Sequence, residues 1–177
     1  MSTSVDAPAI PGIPAGKVGV WWFLASEIMM FGGLIASYIV FRLGGSGWHE
    51  ASAHVSVTLG AVNTLILLTS SLTVVQAFAA AERENAPALR LFLGLTILGG
   101  LAFLGIKAIE YTTEIRAGFT PGSGIFWSFY YTMTGLHALH VLGGIVVNVV
   151  LFLGSRIRNP RRVEIAGLYW HFVDIVW

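Results

Sequence analysis

The chain has 177 residues, of which 55% are hydrophobic and 11% charged, and its formal net charge is +1. A soluble domain carries about 25% charged residues, so this composition, with a mean hydropathy of +0.76, belongs to one membrane-embedded domain. The balanced charge, with no basic stripe interleaved with aromatics, gives no nucleic-acid surface, and the lack of cysteine excludes a disulfide frame, a thiolate metal site and a thiol redox pair.

Residues 1–16 are rich in Pro, Ala and Ser and lack the basic-then-apolar order of a signal peptide, so they read as a flexible cytoplasmic tail. Residues 17–177 read as an all-α, polytopic transmembrane bundle of five helices, at about 18–42, 57–81, 89–115, 125–154 and 163–177. The first contains an apolar run from Val20 to Phe41, interrupted by one acid, Glu27. About 22 residues at 1.5 Å each cross a bilayer core of roughly 30 Å, which puts Glu27 about two turns inside it. An ionisable group at such a depth costs about 2.5–3.5 kcal/mol on insertion scales and usually faces protein or water. Glu27 is therefore either a neutral acid hydrogen-bonded between helices or a group that function requires. Gly32-x-x-x-Ala36 and Gly33-x-x-x-Ser37 predict a close helix–helix approach on this helix. Trp21 and Trp22 suit the headgroup belt.

The second helix is unusually polar, with Asn63 and Ser70 seven residues apart on one face. Interhelical hydrogen bonds explain this without chemistry. The third helix carries Lys107, Glu110 and Glu114 at offsets of three and four, which predicts an ion pair. The fourth carries His137 and His140, and the fifth His171. Three histidines on two neighbouring helices allow bis-histidine haem or metal ligation, but neutral histidines serve equally as interhelical hydrogen-bond partners, and no carboxylate-rich ligand motif surrounds them. Asp174, three residues after His171, is expected to bond to it. Only about 15 residues follow the start of the fifth helix, roughly 22 Å, so the expectation is that the chain stops partway through its last crossing and that a C-terminal portion is missing.

Arg156, Arg158, Arg161 and Arg162 follow the fourth helix, Arg83 and Arg90 follow the second, and Lys17 precedes the first; the opposite loops carry only Arg42 and Arg116. The positive-inside rule therefore puts the N-terminus in the cytoplasm. Arg156 or Arg158, at headgroup level, is suited to binding lipid phosphate.

In order along the chain stand Trp22-Phe-Leu-Ala-Ser-Glu27, Asn63-Thr64, Glu110-Tyr111, Thr134-Gly-Leu-His137-Ala-Leu-His140 and Tyr169-Trp-His-Phe-Val-Asp174-Ile-Val-Trp177. This series resembles cytochrome c oxidase subunit III of the haem–copper oxidases, in its bacterial five-helix form, from about residue 17 onward. The resemblance implies a non-catalytic chain without haem or copper of its own, those groups being held by subunits I and II. It implies that the chain stabilises subunit I, supports proton uptake and holds phospholipid in a cleft, of which one arm is exchanged or missing here. It matches Glu27 to an intramembrane carboxylate associated with lipid and carbodiimide reactivity, with Trp22 beside it. It matches Asn63, Glu110, His137, His140, Glu164, His171 and Asp174 to structural polar contacts, and puts Arg156 near a lipid-binding arginine. The bacterial inner membrane is the implied location. Neighbouring possibilities are the subunit III of a quinol oxidase and an accessory protein of nitric oxide reductase; a haem-bearing membrane anchor is the reading from a different class.

Overall fold

The computed structural model describes residues 15–45, 48–154 and 159–177. The described residues form six helices: α1 (Ala15–Gly44), α2 (Trp48–Ser52), α3 (Val57–Glu82), α4 (Ala86–Arg116), α5 (Ile125–Leu153) and α6 (Pro160–Val176). Among the described residues there is no strand. Residues 16–44, 57–82, 86–116 and 125–153 are each long and apolar enough to cross a membrane. The 17-residue α6 is a further helix packed into the bundle.

The helices begin where the chain supplies caps. Ser56 accepts the amide of Leu59 and opens α3; Asn85 accepts that of Ala88 and opens α4; Asn159 accepts that of Arg161 and opens α6. Each cap satisfies an amide that a helix N-terminus leaves unpaired. Pro87 and Pro160 lie in first turns, where proline removes no helical hydrogen bond. Two helices thus start three residues earlier than the sequence predicts, at Ala86 and Pro160. The short α2 was not anticipated. It brings Trp48 edge-on to Tyr38 and Phe126, building an aromatic cluster with Trp127 at that end of the bundle.

The core is assembled around Trp170, whose side chain is fully buried. Its indole N–H donates to Ser70 Oγ on α3 at 3.0 Å. Its ring lies where a Cβ on Gly144 of α5 would come within 2.7 Å and one on Gly100 of α4 within 2.8 Å. Glycine at both positions lets one large ring join four helices. Next to it, Gly99 lies against Ser70, whose Cβ is 2.7 Å from the position of an added Cβ. The close approach predicted for α1 is therefore found elsewhere: nothing lies within 4 Å of an added Cβ at Gly32 or Gly33, and that face of α1 is open. In the chain alone, Gly144→Ala is expected to lower stability by about 1–2 kcal/mol through overpacking, whereas Gly32→Ala is expected to be neutral or slightly stabilising. Thermal denaturation of the two variants in detergent checks the contrast.

Candidate functional site

Glu27 does not stand alone in the apolar layer. Its Oε2 lies 3.0 Å from His140 Nε2 on α5, and the other ring nitrogen of His140 lies 2.8 Å from the carbonyl oxygen of Leu136. A carbonyl can only accept, so Nδ1 carries a proton. One further proton then lies in the bond between Nε2 and Oε2. Whether it belongs to the carboxyl or to the imidazole, the pair has no net charge, which lowers the cost of keeping it in the membrane. Phe31 packs edge-on to the His140 ring, 5.2 Å between centroids. Tyr169 of α6 donates to the His140 carbonyl at 3.0 Å. Glu27 thus ties α1 to α5.

A second polar tie lies at the start of α1. Lys17 Nζ donates to Glu164 Oε1 at 2.5 Å, joining the first turns of α1 and α6 on the same side of the bundle. Between α1 and α6 runs an apolar groove of about 500 Å³, which extends past the level of Glu27 and is lined by Trp21, Leu24, Ile28 and Phe31 of α1 and by His171, Phe172 and Ile175 of α6. Trp22 points away from it and is 76% exposed. Much of the remaining α1 surface is apolar and open, including Met29, Val40 and Leu43.

The acids and the lysine of α4 are buried. Lys107 Nζ donates to Glu110 Oε2 at 3.0 Å and to Tyr130 Oη at 3.2 Å, while Tyr130 donates to Glu110 Oε1 at 2.6 Å. The ion pair expected from the sequence is present, closed into a triad by a tyrosine that spacing alone did not reveal. Lys107 also lies over the rings of Tyr111, Tyr130 and Trp177 at 5.0–5.4 Å. Glu114 is buried one turn further on, outside the pair.

The three histidines have separate neighbours. An offset of three turns a helix position by about 60°, and in this bundle that sends His140 toward α1 and His137 toward Phe103 and Trp177. His171 shares a 2.5 Å hydrogen bond with Ser71 of α3, not with Asp174 as expected. Among the described residues no three His, Cys, Asp or Glu side chains converge as metal ligands. Asp174 keeps both carboxyl oxygens buried without a protein hydrogen-bond partner. Asn63 and His137, expected to bond between helices, likewise find no protein partner. Arg156 and Arg158 lie outside the described residues; Arg161 and Arg162 are exposed in the first turn of α6.

Residues 12–177 match the family described as cytochrome c oxidase subunit III. The chain belongs to that family. It is 39% identical over 169 residues to the cytochrome c oxidase subunit 3 of Corynebacterium diphtheriae, covering 91% of this chain and 82% of that protein. It is 36% identical over 168 residues to the protein of the same name from Bacillus subtilis, covering 90% and 80%. The corresponding values for Alkalihalophilus pseudofirmus are 34% over 168 residues, 90% and 81%. As a subunit III with, among the described residues, four helices long and apolar enough to cross a membrane, the chain is a multi-pass membrane protein and a component of a haem–copper oxidase.

Two features of this subunit III went unread in the sequence. Trp170 as a four-helix junction was signalled by the doublets Gly99-Gly100 and Gly143-Gly144, each in mid-helix where glycine has no helical advantage. Lys17–Glu164 left no local signal, since its partners are 147 residues apart.

Proposed function

We propose that this chain is the non-catalytic, cofactor-free subunit III of a respiratory terminal oxidase. In this reading it braces subunit I, contacts subunit II, helps sustain proton uptake and holds phospholipid, while the haems and copper belong to those partners. It lies in a bacterial inner membrane with its N-terminus in the cytoplasm, where the positive-inside rule puts it. The observation that carries the bracing role is α1: two polar ties hold it to the bundle, and much of its apolar surface is left open for lipid or a larger subunit. Capture of the tagged chain from mild detergent tests the assignment. Subunits I and II, identified by mass, should come with it in fixed ratio. Recovery of the chain alone, under conditions that keep the rest of the oxidase intact, would sink it.

The lipid role rests on the apolar α1–α6 groove and on the four arginines that the sequence carries between α5 and the end of the first turn of α6. Each basic group near an anionic surface contributes about 1 kcal/mol. Replacing Arg156, Arg158, Arg161 and Arg162 by glutamine, with topology verified unchanged, should reduce the anionic phospholipid retained by the purified complex. Undiminished retention would leave these residues a topological role only.

A further inference from the structure

Among the described residues, four of the seven buried side-chain atoms without a protein partner belong to two residues, Asn63 and His137; the others are on Asn148 and Asp174. The α3–α4 pairing is fixed by the hydrogen bond between Thr73 and Thr96 and by the seat of Ser70 on Gly99. Continued along both helices, this register sets Asn63 level with Lys107. On α5, the ring of His137 lies 5.3 Å from that of Phe103, one turn from Lys107. On α6, Trp177 closes the same level: its N–H donates to Thr64 at 3.1 Å, and its ring lies 5.0 Å from that of His137. One layer of the bundle thus gathers Asn63, Lys107 and His137 around Trp177 and Phe103. The three polar residues are at most 4% exposed.

Their hydrogen-bonding needs are complementary. Asn63 leaves its carbonyl oxygen and its amide nitrogen without a protein partner, and His137 leaves both ring nitrogens. Lys107 has three donors and spends two, on Glu110 and Tyr130. A buried polar group without a hydrogen bond costs about 1–3 kcal/mol, so four such atoms in one layer call for a ligand that both donates and accepts. The burial of every polar member leaves no route for a large molecule. Water fits: a buried water makes about three hydrogen bonds to groups of this kind.

We propose that this layer is an internal hydration site, in which ordered water bridges Asn63 and His137 and takes the remaining proton of Lys107. The hydrated layer continues the triad of Lys107, Glu110 and Tyr130 toward the middle of the bundle, sealed from lipid by Trp177 and Phe103. The inference does not depend on the oxidase reading.

The test is water-edited solid-state NMR of the full chain in lipid bilayers, with 15N-histidine label. The chain has five histidines, and the His137 signal is assigned by elimination, from single variants of the other four, without touching the layer. The His137 ring nitrogens should receive magnetisation from water protons although the residue is buried. Their absence from the water-edited spectrum, with exposed His54 present, overturns the proposal. Asn63→Leu fills the space and removes the amide, and the His137 water signal should be lost while the His140 signal stays unchanged. Persistence of the His137 signal at its original intensity would overturn a shared site. Should that variant not fold, the result on the unsubstituted chain decides alone.

Discussion

Glu110→Ala is expected to cost the chain about 3–5 kcal/mol, the penalty for leaving one member of a buried ion pair behind. Lys107 and Glu110 are 5% and 4% exposed at their side chains and lie 3.0 Å apart. After the substitution the protein groups left to the ammonium are the Tyr130 hydroxyl and three aromatic rings, and these do not neutralise it. Lys107→Met should be damaging for the mirror reason, with Glu110 left holding a charge and one tyrosine hydrogen bond. Replacing both residues by apolar side chains should cost less than the sum of the two single changes, because desolvation of both charges is removed together. Tyr130→Phe removes two hydrogen bonds to charged partners, each of a kind that contributes about 1.5–3 kcal/mol. Unfolding of the four variants in mixed detergent gives the comparison. Strict additivity of Lys107→Met and Glu110→Ala would mean that the pair is not coupled as its geometry implies.

Glu27 gives the second large effect. Glu27→Ala should lower stability by up to about 3 kcal/mol, since it leaves His140 Nε2 buried without a partner and removes the mid-membrane tie of α1. In the assembled oxidase the expected readout is a shortened working lifetime at near-normal initial turnover. Glu27→Gln separates the two possible positions of the shared proton. If the proton belongs to the carboxyl, a glutamine amide donates to Nε2 in its place and the variant should be almost silent. If it belongs to His140, glutamine leaves an imidazolium without its counter-charge and should do as much harm as alanine. The packing role assigned to Glu27 predicts the silent outcome. It also predicts that His140→Phe and Glu27→Ala combined cost little more than either alone, because each breaks the same contact. A loss of proton pumping in Glu27→Gln with stability unchanged would give this residue a role in proton transfer instead.

Much of the fold was legible because helix periodicity, length and apolar content are local properties. The long helices follow from them, and so does the Lys107–Glu110 pair, whose members lie on one helix. What spacing could not supply was the partner on another helix. Glu27 was conspicuous as a lone acid, but its contact with His140 joins residues 113 apart. His137 and His140 stand together in the sequence as candidate ligands, yet about 60° of rotation sends the two into different interfaces. The small residues of α1 were read as a packing surface because small-xxx-small patterns permit close approach; in the chain alone that face is open, and the glycines that are used, Gly100 and Gly144, stand opposite Trp170. The starts of α4 and α6 lie three residues before the predicted 89 and 163 because Asn85 and Asn159 cap the helices and Pro87 and Pro160 fit their first turns. The short α2 was hidden by its length and its charge.

We propose that this subunit III carries no redox centre of its own and that its histidines serve structure. The most direct measurement is the absorption spectrum and metal content of the full chain purified alone, beside those of the intact oxidase. The account predicts no haem band and no copper above background in the chain, with both present in the oxidase. A stoichiometric Soret band or copper signal in the isolated chain, lost on substitution of His137, His140 or His171, would contradict it.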